Sequence, residues 1–227
     1  MGQCQQLARS AGSLLRRLRK GIEGHWARGS GPAPDTLPLM PAPTRDEAWQ
    51  LVEEWVQTDS LRKHLLGVET GMRAYARRFG DDEELYGVTG LLHDLDYERF
   101  PDLESGHPRK ALELFRERGY PQELIDAVAG HAEFLGVPRE SRMAKTLYAV
   151  DELSGFISAC AMVRPTGIEG MAPKSVKKKL KQPSFAAGVS REEVRRGAEE
   201  LGVDFDEHVA FLIAAMEERA DELGLKR

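Results

Sequence analysis

The chain has 227 residues, 41% hydrophobic and 30% charged, which is long enough to bury a substantial core as one moderate domain with an appendage. Its formal charge of −5 supplies no global basic field, so the totals do not suggest general nucleic-acid binding, and any basic site must be local. No run approaches the ~20 apolar residues of a membrane span, and Cys4 and Cys160 lie too far apart in sequence to suggest a disulfide framework or a cysteine-rich zinc site, so a soluble, cytoplasmic protein is expected.

Residues 1–28 contain "LARSAGSLLRRLRKGIEGHWAR", a basic, acid-poor and weakly amphipathic stretch that reads as a flexible tail; a transit peptide and a membrane-surface helix are the competing readings. The opening "MGQCQQ" resembles a lipidation start, but Gln6 stands where Ser or Thr is needed. Residues 29–44 hold five prolines and two glycines and read as an extended linker. A globular domain over residues 45–165 is expected to follow, with residues 166–227 adding a Lys-rich segment and C-terminal helices that pack on it.

Within that domain the pattern is helical throughout. Thr44 with Glu47 matches a capping box, and Ala48, Leu51, Val52 and Trp55 form the first apolar stripe. A second helix is predicted over residues 60–79, where Leu61, Leu65, Val68, Met72, Tyr75 and Phe79 repeat at helical spacing before Gly80. A third is predicted over 82–95, and others over 107–118, 121–134 and 139–163. Ser190 with Glu193 makes a second capping box, and Phe205, Val209, Leu212, Ile213 and Met216 define a last long helix. No strand pattern and no internal repeat emerges, so the class is all-α.

Four of the six histidines fall between residues 60 and 135, on or beside these apolar stripes. His64 follows Leu61 by three, His131 follows Val128 by three, and Asp151 follows Leu147 by four, so ligand-type side chains point inward. A lone buried histidine is usually satisfied by one hydrogen bond, and a lone aspartate at a helix end is usually a cap. Satisfying four histidines and two aspartates one by one is costly, roughly 2–7 kcal/mol for each unpaired neutral polar group. One shared cation satisfies them together. Neighbouring helical residues point about 100° apart, so His93 and Asp94 of "GLLHDLDYERF" reach one ion only across a helix end. There the two carboxylate oxygens of Asp94 are suited to bridging two metals.

The order His64, His93-Asp94, Asp151 resembles the His…His-Asp…Asp signature of the HD superfamily of metal-dependent phosphohydrolases, and "LLHDLDYE", "GHAEFLG" and "YAVDELSGFISA" are similar to bacterial HDIG-type hydrolases. The resemblance implies a helical bundle with a central metal site. His64, His93, Asp94 and Asp151 are its implied primary ligands, and His107 and His131 complete the shell of a second ion. One or two divalent ions are expected, with Fe, Mn, Zn, Mg, Co and Ni not distinguished. Such ions make water nucleophilic near neutral pH and polarise phosphoryl oxygens. The implied activity is hydrolysis of a phosphomonoester or phosphodiester in a small, nucleotide-like substrate, with His93 and Asp94 at the centre of catalysis. Lys63, Arg109 and Glu133 stand beside ligands as candidates for assisting the leaving oxygen. Five lysines between Lys174 and Lys181 form either a solvated face or a phosphate-gathering flap, in which Lys174, Ser175 and Lys178 are the expected substrate contacts. The lysine that follows the His-Asp pair in cyclic-dinucleotide hydrolases is replaced here by "LDY". His25, His208 and Cys160 read as structural. A di-iron oxygenase with the same ligand pattern, and a non-catalytic binding module, are the alternatives.

Overall fold

A computed structural model describes residues 41–227. The basic tail of residues 1–28 and residues 29–40 of the proline-rich segment, with Cys4 and His25, lie outside the described residues. Among the described residues the chain forms α-helices and one short 3-10 turn, with no strand. The helices are α1 (Arg45–Trp55), α2 (Asp59–Phe79), α3 (Glu83–Leu92), α4 (Arg109–Glu117), α5 (Gln122–His131), α6 (Arg142–Met162), α7 (Pro173–Leu180), α8 (Arg191–Leu201) and α9 (Phe205–Glu218).

Local chemistry explains most of the boundaries. Thr44 and Glu47 form the complete capping box at the start of α1, and Ser190 accepts from the Glu193 N–H to open α8. α2 ends at Gly80, whose φ of 73° lies in the left-handed region that favours glycine. Two helices are shorter than the apolar pattern predicts. α3 stops at Leu92 rather than 95, and α5 stops at His131 rather than 134, where Glu133–Leu135 tightens into a 3-10 turn. In both places apolar periodicity continues through turns, so periodicity alone overshoots the helix end.

α2 is the central strut, packing against α3, α6 and α9, while α6 also contacts α5, α7 and α8. The approach of α3 to α2 depends on Gly90: a Cβ there would lie 2.9 Å from Met72 Cγ and 3.1 Å from the backbone of Val68 and Glu69. The same holds for α8 on α6, where a Cβ on Gly197 would come within 2.6 Å of Ala149 Cα. Leu65, Val68, Met72, Leu91, Leu92, Leu147, Val150 and Leu212 fill the resulting interior. One buried ion network spans it. The fully buried Glu69 of α2 accepts from Arg45 at 2.7 Å, Arg73 at 3.0 Å and Arg219 at 3.3 Å, which ties α1 and the end of α9 to α2. His208 of α9 is equally internal: its Nε2–H donates to the Ala149 carbonyl, and its Nδ1 accepts from the Tyr75 hydroxyl at 2.6 Å.

Candidate metal centre

The six residues singled out in the sequence come from five segments and converge on one volume. His64 lies on α2, His93 directly follows α3, Asp94 occupies the turn after it, His107 immediately precedes Pro108 at the start of α4, His131 ends α5, and Asp151 lies on α6. The early end of α3 matters to the chemistry. There the backbone shifts to i→i−3 bonds, Leu95 N–H to Leu92 and Tyr97 N–H to Asp94. Asp94 and His93 thereby face the same space, with His93 Nε2 3.6 Å from Asp94 Oδ2.

The carboxylate of Asp94 is divided between two sets of imidazoles. Its Oδ1 lies 3.3 Å from His131 Nε2 and 3.5 Å from His107 Nε2. Its Oδ2 lies 3.6 Å from His93 Nε2 and 4.0 Å from His64 Nε2. Asp151 closes the second set, with Oδ1 3.0 Å from His64 Nε2 and 3.3 Å from His93 Nε2. Two ligand groups therefore share Asp94: His64, His93 and Asp94 form one, and Asp94, His107 and His131 the other.

Hydrogen bonds on the far side of three rings decide what the near side offers. His93 Nδ1 bonds to the Gly90 carbonyl at 2.8 Å, His131 Nδ1 to the Val128 carbonyl, and His107 Nδ1 to Asp96 Oδ1 at 2.8 Å. Each acceptor holds the proton on Nδ1 and leaves the Nε2 lone pair directed at the carboxylates of Asp94 or Asp151. His93 Nε2 is buried and has no hydrogen-bond partner. Lone pairs facing anionic oxygens in a buried site require positive charge between them. Burial opposes a charge on His93, yet Asp94 and Asp151 outweigh it and push its pKa up to about 9. Burial likewise favours neutral Asp94 and Asp151, but the facing histidines hold both carboxyls below the ordinary range. Four imidazole nitrogens and two carboxylates are the donors of a divalent first-row metal, and this arrangement fits one.

Other candidates from the sequence lie outside this bonded cluster. Lys63 pairs with Asp59 one turn earlier, at 2.7 Å. Arg109 donates to the Leu103 carbonyl at 2.6 Å and lies over the ring of Phe134. Glu133 accepts from the Tyr148 hydroxyl and pairs with Arg196. Lys174, Ser175 and Lys178 sit on α7, a regular helix anchored by Val176 and Leu180, with both lysines exposed. Sequence reasoning missed Asp96 as a supporting group. It is fully buried, orients His107 through Oδ1, and accepts the Ala111 N–H of α4 through Oδ2 at 2.8 Å. Its signal was a second acid two residues after Asp94, beside the buried Leu95.

Residues 61–155 match the family model described as "HD domain". Among curated proteins, the chain is 31% identical over 98 residues to Ribonuclease Y of Oleidesulfovibrio alaskensis, covering 43% of this chain and 18% of that protein. It is 34% identical over 89 residues to Ribonuclease Y of Lactobacillus acidophilus, 38% of this chain and 16% of that one. It is 32% identical over 103 residues to Ribonuclease Y of Thermus thermophilus, 45% of this chain and 16% of that one. The chain thus spans less than a fifth of the length of these relatives. No solved structure matches. Among the described residues, no helix is long and apolar enough to cross a membrane.

Proposed function

We propose that the HD domain over residues 61–155 makes this chain a metal-dependent phosphohydrolase, acting in the cytoplasm on a phosphomonoester or phosphodiester of a nucleotide or another small phosphorylated molecule. The observation that carries the reading is the division of Asp94 between two imidazole sets, through which one carboxylate could serve two cations. Divalent ions held there would supply a water nucleophile at neutral pH and offset charge on phosphoryl oxygens. The relatives named Ribonuclease Y support phosphodiester bonds as one substrate class.

In this reading His64, His93, Asp94 and Asp151 would hold one ion, and Asp94, His107 and His131 would hold the other. The protein's own contribution is preorganisation: three imidazoles arrive with their tautomers set by Gly90, Asp96 and Val128. His64 is the most exposed of the four, its side chain 23% accessible against 0% for His93, so substrate reaches the centre from the His64 side. Lys63, Arg109 and Glu133 stand as candidates for assisting the leaving oxygen, each having to exchange its present partner for substrate. Lys174, Ser175 and Lys178 on α7 gather phosphate on its approach.

The test is anaerobic purification with metal quantification, followed by parallel screens for phosphate release and O₂ uptake. Phosphate release that disappears in His93→Ala and Asp94→Ala is the expected result. Iron with substrate-dependent O₂ uptake and no phosphate release would assign the centre to an oxygenase, and a metal-free inactive protein would leave a binding module.

A further inference from the structure

Three of the four imidazoles at the centre are anchored from behind, His93 by the Gly90 carbonyl, His131 by the Val128 carbonyl and His107 by Asp96. His64, the most accessible of the four, has no such bond among the described residues. Its Nε2 faces Asp151 Oδ1 at 3.0 Å, while the far edge of its ring lies against Gly155, one turn after Asp151 on α6. A Cβ on Gly155 would sit 3.6 Å from His64 Nδ1 and 3.8 Å from His64 Cε1, both ordinary contact distances. Packing therefore does not require glycine at this position. At Gly71, Gly90 and Gly197 it does, since a Cβ there would come within 2.9 Å of a neighbouring helix. Gly155 also has no positive φ that would call for glycine, and a glycine inside a helix costs about 0.5–1 kcal/mol relative to alanine. What Gly155 changes locally is the space behind His64, which it leaves without a side chain and so without an acceptor.

We propose that His64 is the exchangeable ligand of the centre: Gly155 leaves its imidazole unanchored, so that a small nitrogen or oxygen donor from outside can take its place. The inference rests on the metal-centre part of the phosphohydrolase reading and adds to it which ligand gives way. A hydrogen bond to the far nitrogen fixes the tautomer and orientation of a ligating histidine and strengthens its binding. His93, His107 and His131 have that support. His64 must instead give up its own rotational freedom when it ligates, which weakens its hold. Its exposure then places the weakest ligand at the side from which outside donors arrive.

The experiment titrates Mn²⁺ into the metal-stripped, full-length protein and counts free ion by electron paramagnetic resonance, for wild type, Gly155→Ser and Gly155→Ala, with melting temperature measured on the same samples. Both substitutions replace a helical glycine without a clash, so neither is expected to lower the melting temperature. Serine alone adds an acceptor for the His64 Nδ1–H, its own proton being free to go to a carbonyl one turn earlier on α6. Gly155→Ser is therefore expected to bind Mn²⁺ about 3- to 10-fold more tightly than Gly155→Ala. In parallel, His64→Ala is expected to take up less Mn²⁺ than wild type and to recover it in excess imidazole, whereas the fully buried position of His93 keeps His93→Ala from recovering. Gly155→Ser binding no more tightly than Gly155→Ala overturns the exchangeable ligand and leaves the metal centre standing. So does imidazole that fails to restore His64→Ala, or that restores His93→Ala equally. Absence of Mn²⁺ uptake by wild type overturns both.

Discussion

Asp96 holds His107 in place: the imidazole Nδ1–H donates to Asp96 Oδ1 at 2.8 Å, while the other carboxylate oxygen accepts the Ala111 N–H. One side chain thus fixes a candidate ligand and the first turn of α4 together. In Asp96→Ala, metal affinity is expected to drop roughly 10- to 100-fold, as for other groups that orient metal-binding histidines. Stability should also fall by about 1 kcal/mol or more, because the Ala111 N–H loses its acceptor. Competition with a chelating indicator and urea unfolding measure the two effects. An unchanged metal affinity would remove the orienting role.

Asp94 and His64 should differ in what they remove. Asp94→Ala breaks both ligand groups and is expected to abolish binding of all ions. His64→Ala or His131→Ala touches one group each and is expected to retain a single ion per chain. Metal stoichiometry by mass spectrometry decides it; equal losses in all three variants would contradict a shared carboxylate.

Gly90 touches no ligand, yet its substitution should reach the site. Gly90→Ala places a methyl 2.9 Å from Met72 Cγ and 3.1 Å from backbone atoms of α2. The helix pair must separate, at about 1–3 kcal/mol, and His93 moves with α3 relative to His64. Lower stability accompanied by weaker metal binding is the expected outcome of denaturation and metal titration on the same variant.

The Glu69 network predicts a stability effect without altered ligands. Glu69→Gln leaves Arg45, Arg73 and Arg219 facing a neutral amide in a buried position. Breaking a buried ion pair on one side typically costs about 3–5 kcal/mol, so chemical denaturation should show a loss in this range.

His208 makes the fold acid-sensitive. Burial lowers its pKa to about 4, and in the fold it is neutral, donating to Ala149 and accepting from Tyr75. As pH falls below about 6.5, the unfolded chain takes up a proton at this residue while the folded chain does not until about 4. The unfolded state then binds more protons, so stability present above pH 6.5 is lost between about 6.5 and 4, by roughly 3 kcal/mol. Urea unfolding across this window should be steeper in pH for wild type than for His208→Gln; parallel curves would show that His208 does not contribute.

The helices were readable because burying one face imposes a 3.6-residue period, and Thr44, Ser190 and Gly80 mark ends through local hydrogen bonds and backbone conformation that need no tertiary partner. The same period placed His64, His131 and Asp151 on inward faces, and the HD resemblance joined them to His93, Asp94 and His107. Periodicity carried α3 past Leu92 because Leu95 remains buried in a turn, and nothing local distinguishes a buried turn from a buried helix. What only the tertiary structure decided is how these residues face one another: which oxygen of Asp94 meets which histidine, that Asp96 rather than water orients His107, and that Lys63 and Arg109 already hold other partners. Those relations depend on side chains from five segments meeting at distances of a few ångströms. A small shift of any of these helices would undo them while leaving its apolar stripe buried.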